Sequence, residues 1–132
     1  MTPVEWLAAS AVLTALLWIP YVLERMVSLG IVGTLKPVDP EDELKQRLWA
    51  RRAKRAHYNA VENLVVFATL VLVAQTMGQG EDAQVLFATQ SYFWARVVHF
   101  PALTMGWTGI RTLAFLATFA AQVMVALRIF VG

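Results

Sequence analysis

The sequence has 132 residues, of which 58% are hydrophobic and 15% are charged. Ordinary soluble domains are roughly 45–50% apolar and about 25% charged, and so short a chain has too little interior to bury this much apolar surface. The composition therefore indicates a single-domain integral membrane protein. No cysteine is present, which excludes disulfides and a protein thiol nucleophile.

The formal net charge of +2 is unevenly distributed, because eight of the eleven Lys and Arg residues lie between Arg25 and Arg55. A local excess of this kind is typical of a basic loop beside a membrane rather than the extended basic surface of a nucleic-acid-binding protein. We therefore expect lipid, and not nucleic acid, to be the surrounding partner.

Four stretches approach the length of about 20 apolar residues that a spanning helix needs. Eighteen uncharged residues separate Glu5 from Glu24, with a kink expected at Pro20, and eighteen more follow Glu62. The third stretch, 83–105, reaches spanning length only with its two basic residues included, and the fourth ends near residue 130. We predict an all-α fold, a four-helix membrane bundle with spans at about 4–23, 58–78, 83–105 and 110–130.

The segment of about 24–57, between the first two predicted spans, carries the basic excess. The positive-inside rule therefore places this segment in the cytoplasm and both termini on the opposite side. Within it, Asp39 is a suitable N-cap and Pro40 suits the first position of a helix. Because no Gly or Pro follows before Gly78, we predict one continuous helix from Pro40 into the second span.

Polar side chains recur at three- and four-residue spacing at the cytoplasmic end of the predicted bundle. Residues with this spacing share one face of a helix. The predicted topology brings residues of three helices to the same depth: Arg52, Arg55, Asn59 and Glu62 of the second span, Arg96 and His99 of the third, and Arg111 at the start of the fourth.

Glu62 is the most informative member of this set, because an ionisable residue inside a span is costly and usually functional. Its alternative role is an ion pair with a nearby arginine that only stabilises the bundle. Guanidinium groups bind carboxylates or phosphates, and one carboxylate among them suits a ligand ammonium, so the set favours a zwitterionic ligand with several carboxylates. No metal is expected, because His57, His99 and Glu62 lack a ligand spacing.

The stretch RAKRAHYNAVENLVVF, residues 52–67, resembles the second-helix signature of the MAPEG family, the membrane-associated proteins in eicosanoid and glutathione metabolism. The third-helix ARVVH and the later IRT at 110–112 also resemble the family pattern, in the same order. The resemblance implies a homotrimer that binds glutathione as co-substrate between neighbouring subunits near the cytosolic face. It is closest to the bacterial-type members, which implies a bacterial inner membrane.

The resemblance also implies the roles of individual residues. Arg111 matches the family arginine that stabilises the glutathione thiolate, and Thr112 stands where some members have a serine hydroxyl. Leu103 and Asn63 stand where some members have tyrosine. The expected glutathione ligands are Arg52, Arg55, Asn59, Glu62, Arg96 and His99.

The implied activity is that of a glutathione-dependent transferase or peroxidase acting on a lipophilic electrophile from the bilayer, with residues such as Phe115 or Leu116 lining the electrophile site. Two alternatives remain at this stage. A small four-helix transporter would need an acidic residue in the middle of the first span, and none is present there. A non-catalytic trimer that binds a lipid headgroup through its arginines would have no use for Glu62.

Overall fold

The computed structural model describes residues 1–132, and all of its regular structure is helical. The helices in chain order are α1 (Pro3–Leu16), α2 (Ile19–Leu35), α3 (Pro40–Lys45), α4 (Leu48–Thr76), α5 (Ala83–Met105) and α6 (Thr108–Val131). The prediction of an all-α fold is confirmed.

The first two helices form one long apolar stretch with two interruptions. Thr2 and Glu5 form a capping box at its start, in which the Thr2 hydroxyl accepts from the Glu5 amide at 3.3 Å. The regular helix is interrupted at residues 17–18, just before Pro20, which has no N–H to donate to the preceding turn. A second break lies at Gly30, whose φ of 73° interrupts the helical backbone.

Three helical stretches are long and apolar enough to cross a membrane: Pro3–Leu35, Leu48–Thr76 and Thr108–Val131. The protein is therefore an integral membrane protein. Helix α5 is not among the three, and it carries the buried Arg96 and His99. The prediction that residues 83–105 also span the membrane stays a prediction.

Helix α5 packs against α1, α4 and α6 and provides much of the interior. In the core of the bundle, the rings of Phe67 and Tyr92 stack with their centroids 3.9 Å apart and their planes 6° from parallel. Asp82 at the start of α5 pairs with Arg128 near the end of α6, which shows that the two helices are antiparallel. The buried cluster consists of Leu7, Phe67, Val71, Ala74, Val85, Ala88, Tyr92, Ala121 and Val125.

The chain from Pro40 to Thr76 forms two helices, so the prediction of one continuous helix is wrong. A helix does begin at Pro40, but the backbone is extended at Gln46 and Arg47. The cause is Glu24 on α2, whose carboxylate accepts from Gln46 Nε2 at 3.1 Å and from the Arg47 amide at 3.4 Å. A buried side chain from another helix thus stabilises the break before α4.

Candidate functional site

A pocket of about 320 Å³ lies at the end of the bundle where α4 and α6 begin and α5 ends. Its volume is at the small end of the range of about 300–1,000 Å³ that ligand sites occupy. Five of the eight residues predicted to form the site line this pocket: Arg55, Asn59, His99, Arg111 and Thr112. The apolar lining consists of Leu103 and Phe115.

Arg96 lies behind the pocket instead of lining it. Its side chain is buried, and its Nη1 donates to Asn59 Oδ1 at 3.0 Å. Asn63 Nδ2 donates to the same oxygen at 3.3 Å. Because two donors occupy the amide oxygen of Asn59, its NH2 group is the part that remains for a ligand, and Asn59 faces the pocket as a hydrogen-bond donor.

The hydrogen bonds behind the pocket continue to α6. Gln122 Nε2 donates to Asn63 Oδ1 at 3.2 Å and to its carbonyl oxygen at 3.4 Å. Arg96, Asn59, Asn63 and Gln122 therefore form one polar network that joins α4, α5 and α6. Gln122 was not among the residues predicted from the sequence, although an amide within an otherwise apolar span is the signal that identifies it.

Two guanidinium groups reach the pocket without a carboxylate partner. Neither Arg55 nor Arg111 lies within ion-pair distance of an acidic side chain, since the three ion pairs of the chain join other residues. His99 is buried, and its Nδ1 has no hydrogen-bond partner. The pocket is therefore positively charged and rich in donors, which suits an anionic ligand.

The hydroxyl of Thr112 donates to the carbonyl oxygen of Thr108 at 2.8 Å, one turn earlier in α6. A hydroxyl has a single hydrogen, so in this conformation Thr112 offers the pocket only its lone pairs. Its free lone pairs suit a ligand donor such as an N–H, whereas a thiolate would need a donor that Thr112 does not offer in this conformation.

Arg52 and Glu62 lie outside this pocket. Arg52 contacts the turn between α5 and α6, where a Cβ atom added to Gly106 would lie 2.7 Å from Arg52 Nη1. Glu62 is exposed on the outer face of α4 and pairs with no basic residue of the chain. The alternative role of Glu62, an ion pair within the bundle, is thus not found in the single chain.

The fold and the pocket define a class of protein, a helical membrane bundle with a basic, donor-lined pocket at one end. The chain belongs to the MAPEG family, whose family model matches residues 4–131, nearly the whole chain. The family predicted from the three motifs is confirmed, and the match extends over the first helix as well. No curated protein and no solved structure gives a significant match.

Proposed function

We propose that the protein is a glutathione-dependent transferase or peroxidase of the membrane, active as a homotrimer. The observation that carries the proposal is the donor-lined, positively charged pocket in which Arg111 has no acidic partner. Membership of the MAPEG family supports glutathione as the ligand, because glutathione is an anionic, zwitterionic peptide with two carboxylates, one ammonium and one thiol.

In the proposed complex, Arg55 and the NH2 group of Asn59 bind glutathione carboxylate or carbonyl oxygens, and Arg111 lies against the sulfur. A free thiol has a pKa near 8.5, and each unit by which it is lowered corresponds to about 1.36 kcal/mol. A guanidinium held close to the sulfur favours the thiolate by charge attraction. The thiol proton leaves to water at the open side of the pocket, and Thr112 accepts a ligand N–H.

The thiolate then attacks an electrophile that enters from the bilayer. In conjugation, a carbon–sulfur bond forms as the leaving group departs with its electron pair. In peroxide reduction, the thiolate attacks one oxygen of the O–O bond and becomes a sulfenic acid, while the other oxygen takes up a proton and leaves as an alcohol. The thiol of a second glutathione then attacks the sulfenic sulfur, so that a disulfide forms and the oxygen leaves as water. Phe115 is the apolar residue of the pocket on α6, and we propose that it contacts the lipophilic substrate.

We propose that Glu62 acts in the neighbouring subunit of the trimer. An ionised carboxylate exposed to the apolar layer is costly, so a partner for it is expected. Facing the pocket of a second copy, Glu62 would bind the ammonium group of glutathione and complete a site that one chain leaves small and open. The basic segment would lie on the cytoplasmic side of a bacterial inner membrane, where glutathione is available.

The test is calorimetric titration of the detergent-purified protein with glutathione, together with the ultraviolet absorbance of the bound thiolate. We expect saturable binding and a thiolate signal in the wild type. In Arg111→Ala we expect the thiolate signal to disappear while glutathione still binds. Arg128→Ala is the matched control on the same helix, far from the pocket, and should change neither quantity. Absence of binding at millimolar glutathione in folded protein would remove glutathione from the proposal.

A second variant separates this proposal from a trimer that binds only lipid headgroups. Glu62→Gln should weaken glutathione binding, because the ligand ammonium loses its carboxylate. A glutathione analogue without the amino group should bind wild type and Glu62→Gln equally. If Glu62→Gln binds glutathione as the wild type does, the assigned role of Glu62 is wrong.

A further inference from the structure

A second cavity lies beside the pocket, between α3 and the first two turns of α4, with a volume of about 540 Å³. We call this cavity the α3–α4 groove. It is lined by Pro40, Glu43, Leu44, Leu48, Arg51, Arg52 and Arg55. Only Arg55 is shared with the pocket described above.

The α3–α4 groove is strongly basic. Three guanidinium groups face one carboxylate, and that carboxylate, Glu43, already pairs with Lys54 at 3.4 Å. Arg51 lines the groove and pairs with no acidic residue, and its buried Nε has no hydrogen-bond partner, so its guanidinium is free to bind a ligand. Guanidinium groups bind phosphate oxygens with two parallel hydrogen bonds, which makes a phosphate the fitting ligand.

The groove also has an apolar edge. Leu44 is 67% exposed and Leu48 is 52% exposed, and both lie beside the arginines. Helix α4 has 29 residues and is therefore about 43 Å long at about 1.5 Å per residue, whereas the hydrocarbon layer of a bilayer is about 30 Å thick. The first turns of α4 thus extend into the headgroup region, so the groove combines basic and apolar side chains at that level.

We propose that the α3–α4 groove binds an anionic phospholipid, with the phosphate on Arg51 and Arg52 and the first acyl carbons on Leu44 and Leu48. The two exposed leucines favour a lipid over a free phosphate ion, which has no apolar part to cover them. The site is separate from glutathione binding, because Arg51, Leu44 and Leu48 do not line the pocket.

The experiment measures retained lipid by native mass spectrometry of the full chain, purified in detergent and mixed with phosphatidylglycerol or phosphatidylcholine. The wild type should retain phosphatidylglycerol preferentially. Arg51→Gln should lower that preference about fivefold, which corresponds to about 1 kcal/mol for one basic residue at a membrane surface. Arg47→Gln is the matched control, because Arg47 is exposed, precedes α4 directly and does not line the groove.

A second variant is expected to bind more phosphatidylglycerol than the wild type, a result that a misfolded protein would not give. Glu43→Gln removes the only acidic side chain of the groove and releases Lys54, so it should raise phosphatidylglycerol retention. Glutathione binding should be unchanged in Arg51→Gln, and inorganic phosphate should not displace the lipid. The proposal would be overturned if the wild type and both groove variants retained equal amounts of phosphatidylglycerol, or if phosphate displaced the lipid. It would also be overturned if Arg51→Gln lost glutathione binding to the same extent as lipid binding.

Discussion

The side chain of Asn59 connects the pocket to the interior of the bundle. Its amide oxygen accepts from the buried Arg96 and from Asn63, and its NH2 group faces the pocket. Arg96 is 3% exposed and has no acidic partner in the chain, so the oxygen of Asn59 is important for keeping a charged group inside the protein. The same residue therefore stabilises the bundle through its oxygen and lines the pocket, where its NH2 group is the part left for a ligand.

Two substitutions separate these roles. Asn59→Ala removes the acceptor of Arg96, and we expect unfolding to become easier by about 1.5–3 kcal/mol, as for other hydrogen bonds to charged groups. Asn59→Asp keeps the acceptor but replaces the donor with a negative charge, so stability should persist while glutathione binding falls. Equilibrium unfolding in mixed micelles and calorimetric titration measure the two effects. If Asn59→Asp binds glutathione as well as the wild type, Asn59 is not a donor to the ligand.

At the scale of residues, the sequence predicted which side chains lie at one end of the bundle. Helical spacing and the order of the spans determine depth, and Arg55, His99 and Arg111 lie at the depth expected from them. The spacing did not determine whether a side chain points into the pocket or away from it. Arg96 points behind the pocket and Glu62 points outward, because the rotation of each helix is set by contacts such as that between Phe67 and Tyr92.

Among the helix ends, some have a local signal in the sequence and others depend on a distant residue. Helix α1 begins at a capping box formed by Thr2 and Glu5, and α3 begins at Pro40, which suits the first helical position. The predicted N-cap Asp39 precedes α3, but its side chain makes no capping hydrogen bond. The break before α4 has no such local signal, because its cause is Glu24, more than twenty positions away in the chain. No periodic pattern in the sequence indicates that a buried carboxylate on one helix stabilises the start of another.

An ion pair joins the start of α5 to the last turn of α6. Asp82 caps α5 by accepting from the Gln84 amide at 2.9 Å, and its other oxygen accepts from Arg128 Nε at 2.8 Å. The hydrogen bond from Arg128 lowers the pKa of Asp82 below its ordinary value of 3.8. The ionised form is thus favoured in the folded state, and its contribution to stability is present above the unfolded pKa.

We predict that this contribution is lost as the pH falls below about 4 and through the lowered pKa of the folded state. Asp82→Asn retains a good N-cap but has no charge to lose, so its unfolding free energy should depend less on pH in this acidic range. Unfolding of both proteins in mixed micelles, measured from about pH 5 to pH 2, provides the comparison. Equal acid dependence in the two proteins would contradict the assignment to Asp82.

At the scale of the whole molecule, the single chain leaves much apolar surface uncovered. Its accessible surface is 7640 Å², whereas a compact soluble monomer of 14.7 kDa exposes about 6,900 Å². Long faces of α4 and α6 carry exposed large apolar residues, among them Val65, Val66 and Leu113. Lipid covers such faces well, but lipid gives no partner to Glu62, which lies on the same α4 face as the two valines.

We predict that three copies assemble through this face of α4. Val66→Trp adds bulk one turn from Glu62 and should shift the protein from trimer toward monomer, with a loss of glutathione binding. Val12→Trp on α1, also at an exposed apolar position, is the control and should leave the assembly unchanged. Sedimentation equilibrium in detergent measures the mass of the protein component. A monomeric wild type that still binds glutathione would refute the shared site.

The contact between Glu24 and the start of α4 also has a consequence for biogenesis. The carboxylate of Glu24 accepts from Ser28, Gln46 and Arg47, all of which leave the ribosome before α5 and α6 do. The basic segment can therefore fold back on α2 while the rest of the chain is still being synthesised. We expect the first two apolar stretches to enter the membrane as a preformed hairpin, with their relative orientation fixed before α5 and α6 arrive.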